Sequence, residues 1–117
     1  MISSQAARYL WDVRTAAQNI AEFISGHGFD DYIADKMLRA AVERQFEIIG
    51  EALAALRRTS PDIAAIIPEL SRIVAFRNVL IHAYSAVDDG LVWKIIENNL
   101  PPLRTQIELL LKDAPEP

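Results

Sequence analysis

Cysteine is missing from this sequence altogether. Its absence excludes a disulfide framework, a thiolate zinc site and a cysteine nucleophile, and nothing in the residue usage points to an oxidising compartment. Histidine is nearly as scarce: His27 and His82 are the two copies among 117 residues, and two imidazoles without thiolates cannot build the common zinc sites. Four glycines and six prolines are too few for a low-complexity or collagen-like chain. They form no glycine-rich phosphate loop, and no Glu-x-x-His pair of the di-iron kind is present, so neither metal nor cofactor is expected. No apolar run approaches the roughly 18 residues of a membrane span. The opening Met1-Ile2-Ser3-Ser4 has no basic stretch leading into an apolar block, so a cytoplasmic chain without a membrane partner is expected. An excess of basic charge is lacking too. Twelve Lys and Arg against sixteen Asp and Glu give a net charge of −4, so any contact with nucleic acid has to come from a local patch or an assembled cleft.

What is present is a globular balance, 51% apolar and 24% charged residues. A chain of this length makes one domain that buries roughly two thirds of its unfolded surface without help from a metal. The expected domain covers residues 1–113, with 114–117 a frayed tail. Leu10, Val13, Ala17, Ile20 and Ile24 recur at spacings of three and four, which paints one apolar stripe on a helix that Gly26-His27-Gly28 ends. A second helix is expected from Asp31 to Arg58, its stripe being Leu38, Val42, Ile49, Leu53 and Leu56, with Gln45 inside it and Phe46 beside it. Ser60-Pro61-Asp62 reads as an N-cap with proline at the first helical position, opening a short helix that Pro68 closes. Pro68 then starts a fourth helix with Leu70, Ile73, Val74, Leu80, Ile81 and Tyr84 on one face. The last helix is capped by Asp88 or Asp89 and runs to about Lys112 with a kink at Pro101-Pro102. Its apolar face carries Val92, Ile95, Ile96, Leu103, Ile107, Leu110 and Leu111. No strand pattern occurs, so the fold class is all-α: an antiparallel bundle of four long helices and one short.

Few residues are left to carry chemistry. Glu43, Glu47 and Glu51 share one helix face, as a solvated acidic row or as partners for arginines across the bundle. His27 reads as a solvated loop residue, and Trp11 and Trp93 read as core. The informative segment is Phe76 to Tyr84. At about 100° per residue Arg77 falls within about 20° of Leu70 and Tyr84, in the middle of the apolar stripe. That is a costly place for a cation, so Arg77 should either pair with a carboxylate or line a cleft that takes an anion. His82 lies about 140° further round, near the helix end. It either caps helix carbonyls or stands at the lip of the same cleft. Tyr84 reads as a packing aromatic with its hydroxyl in water.

Arg77, four residues, His82, one residue, Tyr84: in that order the sequence resembles the HEPN-domain ribonucleases, and within them the HepT-like toxins of toxin–antitoxin pairs. The block from Val42 to Ala52 is similar to the family's second helix, and Val92 to Pro101 is similar to its last, so the likeness covers nearly the whole chain. Ala75 and Ala83 depart from it, glycine being common at both positions. The resemblance implies a dimeric HEPN-like bundle and a metal-independent endoribonuclease toxin of a type VII-like system. In that reading RNA supplies its own nucleophile, the 2′-hydroxyl. His82 acts as general base, Arg77 clamps the phosphate oxygens, and Asn78 holds a phosphate or orients His82. The family further implies a homodimer whose two motifs share a cleft. Its partner is a small nucleotidyltransferase of the MNT type that transfers AMP to the motif tyrosine, here Tyr84. A different class of function stays open beside this one: a catalytically silent bundle that only dimerises and docks a nucleotidyltransferase.

Overall fold

The computed structural model describes residues 2–82 and 87–115. Among them there are seven helices and no strand, so the expected all-α class holds. The first helix, α1 (Ser4–Ile24), starts where the Ser3 hydroxyl accepts a hydrogen bond from the Ala6 N–H at 3.1 Å, which satisfies one of the free donors of its first turn. It buries Leu10, Val13, Ala17 and Ile20 as the spacing predicts. Gly26, at φ +79°, turns the chain out of it, a backbone state that costs a glycine little.

The expected helix over 31–58 is in fact two, α2 (Phe29–Ala34) and α3 (Lys36–Thr59). Asp35 breaks it: its backbone lies at φ −114°, ψ 100°, and its carboxylate accepts from the Leu38 N–H at 3.1 Å. An Asp therefore caps a new helix where neither glycine nor proline announces an end. The short α4 (Pro61–Ala64) follows the Pro61 signal. Then α5 (Leu70–His82) begins two residues beyond Pro68, which lies in the preceding turn. The last expected helix is also divided, into α6 (Asp89–Asn98) and α7 (Leu100–Leu111). The junction is Asn99, and the two prolines fall in the first turn of α7, where a missing N–H breaks no intrahelical bond. Asp88 caps α6, accepting from the N–H groups of Gly90 and Leu91. None of the seven described helices is long and apolar enough to cross a membrane.

Helix α3 is the central element. α1 packs along one side of it and α5 along another, and α7 lies against α1. Asn19 of α1 donates to Gln45 of α3 at 3.1 Å, and Arg14 pairs with Glu108 of α7 at 2.5 Å. The Trp11 indole N–H reaches the Pro115 carbonyl at 3.2 Å. Phe46 of α3 is wholly buried and meets Phe76 of α5 edge to face, with ring centroids 5.1 Å apart. The start of α5 is tied to the α6–α7 junction by the Asn99 amide, which donates to Glu69 at 2.7 Å. No charged or polar residue is buried outright among the described residues.

At the junction of α2, α3 and α6 the fold holds a small polar cluster. Tyr32 is fully buried beside Trp93, with ring centroids 5.4 Å apart, and its hydroxyl has no hydrogen-bond partner among the described residues. Burial, reinforced by the carboxylates of Glu43 and Asp89, pushes its phenol up from the ordinary value. Burial also pushes the half-buried Glu43 carboxyl up, with Asp89 and then Glu47 adding repulsion. Arg39, whose Nε lies 3.9 Å from Asp89, opposes this only in part.

Two outcomes are expected. Phe46→Ala empties the α3–α5 contact and should lower unfolding free energy by about 3–5 kcal/mol, read by urea denaturation with an unchanged slope. The folded chain holds the Glu43 proton to higher pH than the unfolded chain does, so stability falls as pH rises above the ordinary carboxyl value of 4.5. Glu43→Gln should abolish that fall, raising Tm at neutral pH and leaving it unchanged in acid below the carboxylate range. A lower Tm at neutral pH would show that the carboxylate is held by Arg39 rather than penalised by burial.

Candidate functional site

The residues singled out in the sequence lie on or just beyond α5. This helix is apolar on its α3 side, where Leu70, Ile73, Val74, Phe76 and Leu80 are buried. Ile81, expected on the same face, is instead 40% exposed, as is Val79 at 49%. Its angular position, between those of the buried Leu70 and Val74, does not account for this; α5 ends one residue later and has no further turn to cover Ile81. Val79 and Phe76 join Arg72, Ala75, Leu91 and Ile95 in a largely apolar groove of about 330 Å³ between α5 and α6.

Arg77 sits on the buried side, against the backbone of α3 at Gly50. A methyl group placed on Gly50 would overlap the Arg77 Cβ, and it would stand 2.5 Å from Cγ and 3.6 Å from Cδ. The two helices can approach this closely at one point because α3 presents no side chain there. Arg77 is half-buried, and no carboxylate of the described residues comes within 4 Å of it. Its Nε is fully buried and has no hydrogen-bond partner among the described residues. Of the two expectations, the ion pair is therefore not seen among those residues. A buried donor left without a bond costs about 1–3 kcal/mol, which marks the position as one where the fold accepts a penalty.

Asn78 and His82 are exposed. They lie four residues apart, so their side chains share one face of α5 about 40° apart, together with Ala75 and Ser71. His82 is the terminal residue of α5, where an imidazole also meets the helix's free carbonyls. Five residues separate it from Arg77, a rise of about 7.5 Å along the helix. Tyr84 and Ala83 lie outside the described residues. The acidic row divides three ways: Glu51 is exposed, Glu47 pairs with Arg44 at 3.3 Å, and Glu43 belongs to the Tyr32 cluster. None of the three is an ion-pair partner of Arg77. His27 is exposed with its ring 3.9 Å from Asp31, and both tryptophans are half-buried at the edge of the core. Among the described residues no group of three or more His, Asp or Glu side chains is placed to hold a metal ion.

What the sequence reading missed is Gly50. The available signal was a glycine in the middle of a helix, which costs roughly 0.5–1 kcal/mol against alanine and often marks a close approach of backbone. Nothing local says which side chain approaches, because Arg77 comes from another helix.

This arrangement can be set beside known proteins. The family model described as "Ribonuclease HepT-like" matches residues 13–110. The chain is 36% identical over 106 residues to "Probable ribonuclease HepT" of Thermococcus cleftensis, covering 89% of this chain and 94% of that protein. It is 34% identical over 104 residues to "Putative RNase MJ1380" of Methanocaldococcus jannaschii, covering 87% and 93%. Another relative, "Putative RNase TTE0752" of Caldanaerobacter subterraneus, is 30% identical over 104 residues, covering 89% and 92%. No solved structure matches the chain. Helical architecture, the Arg77-to-His82 segment on α5 and a family match over most of the length lead to one placement: the chain belongs to the HepT-like ribonuclease family.

Proposed function

We propose that this protein is an endoribonuclease toxin that cuts RNA by attack of the 2′-hydroxyl, without a metal ion. The observation that carries the reading is Arg77: a cation held on the packed side of α5, with no ion-pair partner among the described residues and a donor left unsatisfied. Such a group is best used on an anion that arrives from outside, and a phosphodiester is the anion that a ribonuclease family meets. The ribonuclease names of the relatives support the same substrate class.

In the proposed step the 2′-oxygen of the substrate bonds to the adjacent phosphorus as its proton passes to the His82 imidazole. The bond from phosphorus to the 5′-oxygen then breaks, and that oxygen takes a proton from the imidazolium or from water. The products are a 2′,3′-cyclic phosphate and a 5′-hydroxyl. Arg77 donates to the non-bridging oxygens and binds them more strongly as charge builds in the phosphorane. Asn78, exposed one helical turn before His82, contributes an amide to the phosphate or to the ring.

The reading includes a homodimer. Val79 stands exposed on α5, where it lines the apolar groove toward α6 about 60° round the helix from His82, and a second copy would remove that surface from water next to the motif. It also includes neutralisation by a nucleotidyltransferase that transfers AMP from ATP to the Tyr84 hydroxyl, forming a phosphodiester and releasing pyrophosphate. A negative charge and a nucleoside next to the motif would then compete with RNA.

The deciding measurement is cleavage of RNA by purified protein in excess EDTA. His82→Ala and Arg77→Ala should each lower the cleavage rate by roughly 100-fold or more with helical content retained, the loss expected of a general base or a transition-state clamp. Full cleavage by His82→Ala would overturn the assignment, as would products ending in a 3′-hydroxyl. No cleavage by the wild type would favour the catalytically silent docking module. A second measurement is intact mass after incubation with the cognate nucleotidyltransferase, Mg²⁺ and ATP. Wild type should gain AMP and Tyr84→Phe should not, whereas equal labelling of both would place the modification elsewhere.

A further inference from the structure

Gly50 interrupts a run of good helix formers at the middle of α3. On propensity alone an alanine would serve better there. Of the other glycines, Gly26 and Gly28 have nothing within 4 Å of the place a methyl group would take, and Gly90 meets only the Asp88 carboxylate at 3.2 Å. Gly50 differs from all three: the space a side chain would take is occupied by the Cβ and Cγ of Arg77, with Cδ in contact beside it.

We propose that Gly50 is a positioning residue for Arg77, a role that rests on the reading of Arg77 as the phosphate-binding group. By presenting bare backbone, Gly50 lets the aliphatic stem of Arg77 lie flat on α3. Nε, at the far end of that stem, is buried without a partner, which leaves recognition to the terminal Nη groups. A long side chain then gives up its rotamer freedom when the protein folds rather than when substrate binds, which is how a clamp becomes preorganised. Any side chain at position 50 would push the stem off α3 or push α5 away, and either shift moves the guanidinium. Charge is unchanged by Gly50→Ala, so the effect is on geometry alone.

The test uses the full chain with arginine labelled by ¹⁵N, followed by NMR, alongside the RNA cleavage assay. In wild type the Arg77 Nε–H, assigned by its loss in Arg77→Lys, should exchange with water far more slowly than the Nε–H groups of exposed arginines. Gly50→Ala should lose that protection and lower kcat/KM by roughly 100-fold, the scale of a 1 Å misplacement. The loss should sit mainly in kcat. Gly28→Ala, which adds its methyl to open space, should change neither reading. A residue that served stability only would lower Tm in Gly50→Ala while the folded fraction kept the protected signal and normal turnover; that result overturns the proposal. Fast exchange of Arg77 in wild type also overturns it, whatever the variant does. Should Gly50→Ala fail to fold, combining it with Arg77→Gly removes the obstructing stem and should restore helical content, and a pair that stays unfolded counts against the contact. Absence of RNA cleavage in wild type would sink the nuclease reading, while the exchange comparison would still decide whether Gly50 holds Arg77.

Discussion

Two helices touch where one of them has no side chain, and most of the candidate site follows from that contact. Helix α5 packs on α3 through apolar residues along its length, but at Gly50 the neighbour across the interface is an arginine stem rather than a leucine or valine. The three methylenes of that stem can replace an apolar side chain in the packing, because a long cationic residue buries its carbon chain as readily as an aliphatic residue does. The difference is at the tip. An aliphatic residue would end in the core, whereas Arg77 ends in a charged group that needs an anion, and the fold supplies no carboxylate for it among the described residues. Other contacts keep α5 in register: the Phe46–Phe76 pair lies beside this point, and the Glu69–Asn99 bond fixes the helix start.

The distribution of carboxylates reinforces the same feature. Acidic residues outnumber basic ones, so an unpaired arginine is not explained by a shortage of partners. Glu47, three residues from Gly50 on α3, pairs with Arg44, and Glu43 turns toward Asp89 and Tyr32. Glu51, next to Gly50, is exposed instead. Glu43 is held among other acids, and burial and repulsion push its carboxyl up from the ordinary value. An exposed pair of unlike charges would contribute little to stability. A cation left without such a pair is available to an incoming anion, and in an acidic protein it is a local exception to the overall charge.

How much of this was legible in the residues differs from helix to helix. The stripes of α1, α3 and the α6–α7 segment could be read because three-and-four spacing is a local property that survives folding. The breaks at Asp35 and Asn99 were not legible, since both residues also occur inside helices and only the φ and ψ of the folded chain separate a cap from an interior position. Placing Arg77 in the apolar stripe needed only the helical angle. Knowing what it packs on needed α3, and Gly50 carries no label saying which neighbour it admits. The surroundings of Glu43 were equally hidden, because Tyr32, Arg39 and Asp89 converge on it from three different helices. Ile81 shows the limit from the other side: periodicity assigns it to the core face, yet a helix that ends one residue later has no further turn to cover it.

The angle between the two motif residues constrains how any substrate could meet them. Arg77 and His82 diverge by about 140° around α5 and by about 7.5 Å along it. One is pinned toward α3 and the other faces water. A single phosphate touching both must therefore lie past the C-terminal end of α5 or at its edge, reached by the long arginine from one side and by the shorter imidazole from the other. Charge stabilisation is far stronger where water is excluded, so the proposed cleavage needs that position covered. Of the apolar residues that α5 leaves exposed, Val79 lies about 60° round the helix from His82 and Ile81 about 40° round from Arg77, so each motif residue has an exposed apolar neighbour. A second copy of the chain, as proposed, would have apolar surface to cover on both sides of the motif.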